Sequence, residues 1–596
     1  MPFETSKIIN TGKLRLRTLA ILRILNARGV AIVLLGCIVG VLAGSAVVLI
    51  GWIVNQLHTF LYAIPSGARL SGMFALARPE MALIPVIGGV LIGLSAFLLR
   101  RWRMRGPIDP IEANALYGGR LSMTDTFIVA LQTIVSSGFG ASVGLEAAYT
   151  QAGAGVASRL ARFFGLRRSD VRLLVGCGAG GAIAAAFGAP LTGAFYGFEL
   201  IVGVYSIANV APMMAAAVSA SLMAGYLGGT PFPIELGALP PMKAGQYIPF
   251  LILGLIAGGL SIAIMQLVTV VERFFSRLAI SSVLRPAIGG CVIGLLALMT
   301  PQVLSSGHGA LHRELEMNYG LYVIAELFVL KLLASAVSLG SGFRGGLFFA
   351  SLFLGALAGK IFAEIMMIIS PETGIDPVVA AVVGMTSLAV GVVGGPLTMT
   401  FLALESTGNL TLTGVVLAAS IMSAMLVRET FGYSFSTWRF HLRGETIRGA
   451  QDIGWMRNLT VGRMMREDIR TVPCDITIAQ FRKEVPLGSV QRIIATEGDR
   501  KYVGIVIVAE VHALRSDPAT DERPISEMVK NRDTMLLPTM NVKVAAEMFT
   551  KTGSEELAVI DDFTNRRVLG LLTEGYLLRR YAEELDKARK DISGER

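Results

Sequence analysis

Glu146 is a lone carboxylate. It lies in SSGFGASVGLEAAYTQAG, Ser136–Gly153, a stretch rich in glycine and alanine with no other charge and with hydrophobic segments on both sides. A carboxylate is costly to bury in a membrane, and residues of this kind mark ion or proton paths. The neighbouring glycines let backbone N–H groups approach a ligand closely, and a helix restarting there aims its positive end at an anion. The chemistry these residues suit is passage of a small anion past an acidic gate.

Two more breaks share this character. In RGPIDPIEA, Arg105–Ala113, Gly106, Pro107 and Pro110 interrupt structure after an apolar run. In SGFRGGLFFA, Ser341–Ala350, three glycines precede a run that resumes as helix. A dehydrated anion needs donors without a countercharge strong enough to trap it, and backbone N–H groups at helix ends supply them. Close helix packing explains any single glycine here equally well. The three segments taken with Glu146 point to a pathway.

These breaks must be held by membrane helices. The 596 residues are 53% hydrophobic and 16% charged, with a mean hydropathy of +0.62, whereas soluble domains carry about a quarter charged residues. Val30–Ile53, Met81–Leu99, Ile248–Val270 and Ala287–Leu298 are apolar runs, and others cut by Gly and Pro suit broken or tilted helices. The net charge of +10 comes with arginines at the ends of these runs, such as Arg100, Arg101 and Arg103, or Arg167, Arg168 and Arg172. Clusters placed so mark cytoplasmic flanks and form no separate basic domain, so nucleic acid is not an expected partner. No cleavable leader is evident, since a span-length segment follows the basic N-terminal stretch. Cys37, Cys177, Cys291 and Cys474 are scattered, and His308 and His312 lack further ligands, so no metal site is expected. Nor is an enzyme, in the absence of an HExxH motif or a plausible nucleophile–base pair.

The membrane part carries a repeat. GAPLTGAFYGFE, Gly188–Glu199, matches GGPLTMTFLALE, Gly394–Glu405, at an offset of 206 (394 − 188), and GLEAA from Gly144 matches GLFFA from Gly346 at 202 (346 − 144). Such repeats suggest two halves of inverted topology with the ligand site at their interface. Beyond about residue 440 the charge density becomes that of a soluble domain. There Arg492–Val508 and Leu557–Thr573 each read strand, turn, strand, with Gly504 and Gly570 in matching places. The expected organisation is a basic stretch 1–28, a membrane domain 29–440, a linker 441–455, a pair of α/β modules 456–585 and a tail 586–596.

The chain resembles the CLC chloride channel and transporter family with a C-terminal tandem CBS pair. GPIDPIEA stands for the family's GSGIPE motif, GLEAAYTQ for GxEGP and GGLFFA for GxFxP, in that order, with the repeated GxPLTxxFxxxE pattern besides. The resemblance implies an all-α multi-span membrane protein of two inverted-topology repeats with broken helices, plus a cytoplasmic α/β CBS pair. It implies a homodimer in the lipid bilayer, one chloride or similar anion pathway per subunit, both termini cytoplasmic, and the plasma (inner) membrane as location. Glu146 matches the gating glutamate. Gly106, Ile108, Leu347 and Phe348 fall at anion-binding positions, and the inner tyrosine falls at Ser436 without a gap or at Phe435 with one.

The departures carry meaning too. Gly106 replaces the family's central serine, Arg105, Pro107 and Asp109 replace its glycines and proline, and Ala147 and Ala148 follow Glu146. Leu200 stands where many exchangers of the family have an inner glutamate, and leucine cannot relay a proton. Passive conduction is therefore favoured, with chloride/proton antiport as the alternative, and a non-conducting sensor acting through the CBS pair as a reading of another class. Glu199 is open to two readings, proton pathway or structure. Arg344 is either snorkelling or paired, or else a positive charge at the pathway mouth. Lys331 is expected to be paired or snorkelling. CBS pairs hold adenine nucleotides with an Asp three residues after a Thr or Ser; here Tyr576 follows Thr573 at that spacing, which leaves dimer stabilisation as the plainer role.

Overall fold

The structure, a computed structural model, describes residues 28–593 except 66, 103–105, 230–243, 279, 318 and 444–458. The stretch 1–28 lies outside the described residues apart from its last position, as do Arg105 and most of the linker 441–455. The chain divides into two units between Asp452 and Ile453, each described by itself.

In the first unit eight helices, among the described residues, are long and apolar enough to cross a membrane. Helix α1 (Arg28–Tyr62) is one. The site is built from α2 (Pro110–Tyr117), α3 (Glu146–Phe163), α4 (Arg168–Phe187), α5 (Pro190–Tyr196), α6 (Phe348–Ile369), α7 (Pro377–Val393), α8 (Pro396–Thr407) and α9 (Phe435–Leu442). Several start where the sequence says a helix should. Pro110, Pro190, Pro377 and Pro396 occupy first positions, where a missing N–H costs nothing. Asp109 caps α2 and Asp376 caps α7 with side-chain oxygens.

The repeat is visible as reciprocal contact. Glu405 accepts hydrogen bonds from the N–H groups of Leu191 and Thr192 at 2.7 and 2.8 Å and from the Thr192 hydroxyl at 2.7 Å. Glu199 accepts from Leu397 N–H, Thr398 N–H and the Thr398 hydroxyl at 3.0, 2.8 and 2.6 Å. Each glutamate thus caps the first turn of the other half's helix, α5 or α8, where unpaired donors and a positive dipole end favour a carboxylate. Phe195 and Phe401, matched by the same offset, stack at 4.2 Å. The broken segments meet as well, with Gly144 N–H donating to Gly346 O at 3.0 Å and Gly346 N–H to Gly144 O at 3.3 Å. An approximate two-fold axis runs through these pairs.

Glycines set the helix spacing in both halves. A Cβ on Gly153 in α3 would lie 2.1 Å from Gly178 O in α4, and one on Gly178 would lie 2.2 Å from Gly153 O. The matching pair in α6 and α7, Gly355 and Gly384, shows 2.4 Å in both directions. The obstacle is backbone, which cannot yield as a side chain does. Gly178→Ala is therefore expected to cost about 3 kcal/mol, the upper end for overpacking, seen as a lowered unfolding temperature in detergent.

In the second unit β1 (Thr471–Pro473) runs parallel to β2 (Arg492–Glu497), which pairs antiparallel with β3 (Lys501–Ile507); β4 (Glu556–Ile560) pairs antiparallel with β5 (Val568–Thr573). The two hairpins carry the same irregularity, between Ala495 and Thr496 and between Val559 and Ile560. Their shared glycine has a steric cause: a Cβ would come within 2.5 Å of Lys530 O at Gly504 and 2.6 Å of Arg466 O at Gly570. A third segment crosses each hairpin there. A helix, Glu574–Ser593, follows β5 and runs on into the stretch 586–596.

Candidate anion pathway

Glu146 is the first residue of α3 and is 5% exposed. Its carboxylate folds back over Gly144, so close that a Cβ there would be 1.8 Å from Oε2. It takes backbone N–H groups of Glu146 itself and of Phe349, which lie in the first turns of α3 and α6. Two helix N-termini, one from each half, therefore converge on one negative group. The Oε2 atom is buried without a hydrogen-bond partner. A carboxylate here occupies a cradle that a dehydrated anion would fill equally well.

Two cavities reach this point. One, the inner cavity, of about 640 Å³, is walled in part by α9 and holds Asp109, Tyr196, Arg344 and Arg439. The other, of about 570 Å³, holds Arg69, Tyr149, Ser306 and His308. Among the described residues, Glu146 alone lines both.

The residues singled out in the sequence are placed as follows. Gly106, Leu347, Phe348, Ser436 and Phe435 line the inner cavity. Gly106 faces open space where a side chain would be. Phe435 is buried and Ser436 half-buried, so both alignments of the inner tyrosine reach the same wall. Ile108 does not line it: its side chain joins the apolar core and its carbonyl accepts Gln151 Nε2 at 3.1 Å.

Arg344 is half-buried and lines the inner cavity. Its backbone N–H donates to Ser136 Oγ at 2.9 Å, and no ion pair is formed by its guanidinium among the described residues. Glu199 has its oxygens engaged by the α8 cap, contacts of the kind the structural reading expects. Lys331 is paired, as expected, through backbone carbonyls, and does not snorkel. It is fully buried and donates to Val303 O at 3.1 Å and Ser305 O at 2.9 Å, so it ties down a loop beside the outer cavity.

Several lining residues escaped the sequence reading. Tyr196 faces Thr150 in the inner cavity; the one available signal was that its repeat mate, Leu402, is apolar. His308, dismissed as a metal ligand, stacks on Phe349 with ring centroids 3.6 Å apart, on the ring whose backbone holds Glu146.

The second unit has its own cleft of about 400 Å³, lined by Arg466, Arg470, Arg492 and Glu556 among others. Burial pushes the Glu556 carboxyl up, with Arg492 and Arg466 pulling it back. Thr573 is engaged locally, its hydroxyl accepting Tyr576 N–H at 3.4 Å.

Comparison with known proteins agrees with this architecture. Residues 88–428 match the model of the family described as voltage gated chloride channel. A "putative chloride channel protein ClcB-like" of Ralstonia nicotianae is 31% identical over 347 residues, 56% of this chain and 80% of the relative. The "voltage-gated ClC-type chloride channel ClcB" of Salmonella typhimurium is 28% identical over 404 residues, 66% and 95% of the two chains. Among solved structures, a slow cyanobacterial Cl⁻/H⁺ antiporter is similar with a TM-score of 0.61 at 21% identity, over 69% of this chain and 97% of that one. A CLC-type fluoride/proton antiporter gives 0.56 at 21%, over 67% and 96%. With the family model spanning more than half its length and the broken-helix fold shared, the chain belongs to the voltage-gated chloride channel family of membrane anion-transport proteins.

Proposed function

We propose that the chain exchanges chloride, or a similar small anion, for protons across the membrane, with Glu146 as the gate. The observation that carries this reading is that Glu146 is the residue common to the inner and outer cavities among those described. While charged, its carboxylate fills the cradle of N–H groups; once protonated it no longer competes as an anion, and chloride takes its place. One group thereby alternates between blocking the anion and carrying the proton. The similar structures titled as chloride/proton and fluoride/proton antiporters support exchange. Passive conduction is the second reading, favoured by Leu200 and by the channel names of the relatives.

Arg344 belongs to this reading as a positive charge that raises local anion concentration at the inner cavity. The same proposal includes a homodimer in the plasma (inner) membrane, both termini cytoplasmic, domains at 29–440 and 456–585, and a second unit read as a CBS pair that stabilises the dimer. No adenine nucleotide is assigned to it, because Tyr576 stands at the motif position of a ribose-binding Asp.

The test is paired chloride and proton flux from liposomes holding purified protein, wild type and Glu146→Gln. Exchange predicts opposed chloride and proton movement in the wild type. In the variant, proton flux should fall by about 100-fold or more, the usual scale for removing a proton-transfer group, while chloride still moves. Chloride flux without protons in the wild type would establish the passive reading, and no anion flux would defeat both.

A further inference from the structure

We infer that Asp109 is the inner proton acceptor of the exchange, delivering protons to Glu146 past Tyr196. The inference rests on the exchange reading. A carboxylate on the inner side is a direct proton source for Glu146, and the carboxylates near the cavity can be sorted. Glu199 and Glu405 are held by the N–H groups of α8 and α5. Position 200 is leucine. Glu112 stands 3.6 Å from the Arg443 guanidinium and does not line the cavity. Asp125 is buried and does not line it. Glu272 lines it on the side of Arg439, whereas Asp109, half-buried in the cavity wall, is the carboxylate that shares Tyr196 with Glu146.

Its surroundings suit the task. One oxygen accepts the Glu112 N–H at 2.9 Å as the cap of α2; a carboxylate has a second oxygen for a proton. Tyr196, from α5, lies within electrostatic reach of both Asp109 and Glu146, with its hydroxyl toward Thr150. Thr150 is fixed in turn, donating to Glu146 O at 2.8 Å. The Gln151 Oε1 atom, fully buried and without a hydrogen-bond partner, adds an acceptor in the same wall. The other charged groups near Asp109 are Arg344, from the break before α6, and Arg439 and Arg443, from α9 and its end. Their charge offsets that of Asp109, so an anion can enter the cavity that also conducts the proton. The volume of about 640 Å³ leaves room for waters of about 30 Å³ each between these groups.

The transfer balances simply. Asp109 takes a proton from inner-cavity water, the Tyr196 hydroxyl gives one onward as it receives one, and Glu146 accepts it and releases it into the outer cavity. Only O–H bonds form and break, and one proton crosses.

Asp109→Asn is the test, because asparagine keeps the helix cap and loses the titration. In liposomes, proton flux should fall by about 100-fold while chloride flux persists, and adding Leu200→Glu to the variant should restore proton flux. An unchanged proton-to-chloride ratio in Asp109→Asn, beside a coupled wild type, overturns the inference and leaves the exchange reading standing. A wild type that moves chloride without protons defeats both. Should Asp109→Asn not fold, Tyr196→Phe decides: lost proton flux with chloride flux intact supports the route, and unchanged coupling overturns it.

Discussion

A Gly144→Ala variant is expected to lose both anion flux and proton coupling, although Glu146 itself is untouched. The added methyl would lie 1.8 Å from Glu146 Oε2, 2.7 Å from its Cδ and 2.9 Å from Oε1. These nearest obstacles belong to one flexible side chain and none to backbone, so the alanine fits if the carboxylate leaves. Leaving breaks its hydrogen bonds to the Glu146 and Phe349 N–H groups at about 1.5–3 kcal/mol each, the usual value for bonds to a charged group. The methyl then stands where the Glu146 oxygens stood, so the cradle is closed to an anion as well. Chloride flux should fall well below that of Glu146→Gln, and the double variant should behave like Gly144→Ala alone, since the methyl fills the site whatever the side chain at 146. Wild-type coupling in Gly144→Ala would mean that the carboxylate does not occupy the cradle.

The second large effect concerns stability. Glu405→Ala should destabilise the membrane unit by about 3–5 kcal/mol, because it strips three donors at the start of α5 of a charged acceptor. Glu405→Gln should cost less, as one amide oxygen still accepts while the NH₂ group faces donors. Glu199→Ala should behave alike on α8. Thermal unfolding in detergent reads the order: wild type, then glutamine, then alanine. An alanine variant as stable as wild type would show that the cap is replaceable by water. The same variant also separates structure from proton chemistry, since residual folded protein should keep its proton-to-chloride ratio.

How far these features were legible depends on where their signals lie. Glu146 stands out because a charge in a glycine- and alanine-rich membrane segment is a local anomaly, and the two halves declare themselves by repetition. The repeat did not reveal what Glu199 and Glu405 do. Most of their partners are backbone N–H groups 198 to 214 positions away, which leave no mark in side-chain identity; the Thr192 and Thr398 hydroxyls, repeated in both motifs, were the one visible trace. The partners of Lys331 were hidden for the same reason, being the carbonyls of Val303 and Ser305. Ile108 falls inside a recognised motif, yet the neighbouring turn points its side chain into the core. Tyr196, Thr150 and His308 came to the pathway only through packing between elements distant in sequence.

The Gly144–Gly346 bridge has one more consequence. The residue two places beyond Gly144 is Glu146, and two places beyond Gly346 is Phe348. The frame around the axis is repeated, down to its stacked phenylalanines, but the acidic group stands in one copy. Together with the Tyr196–Leu402 difference, this aromatic-for-acid difference at mated positions makes the two ends of the pathway chemically unlike, while the direction of net flux is still set by the ion gradients.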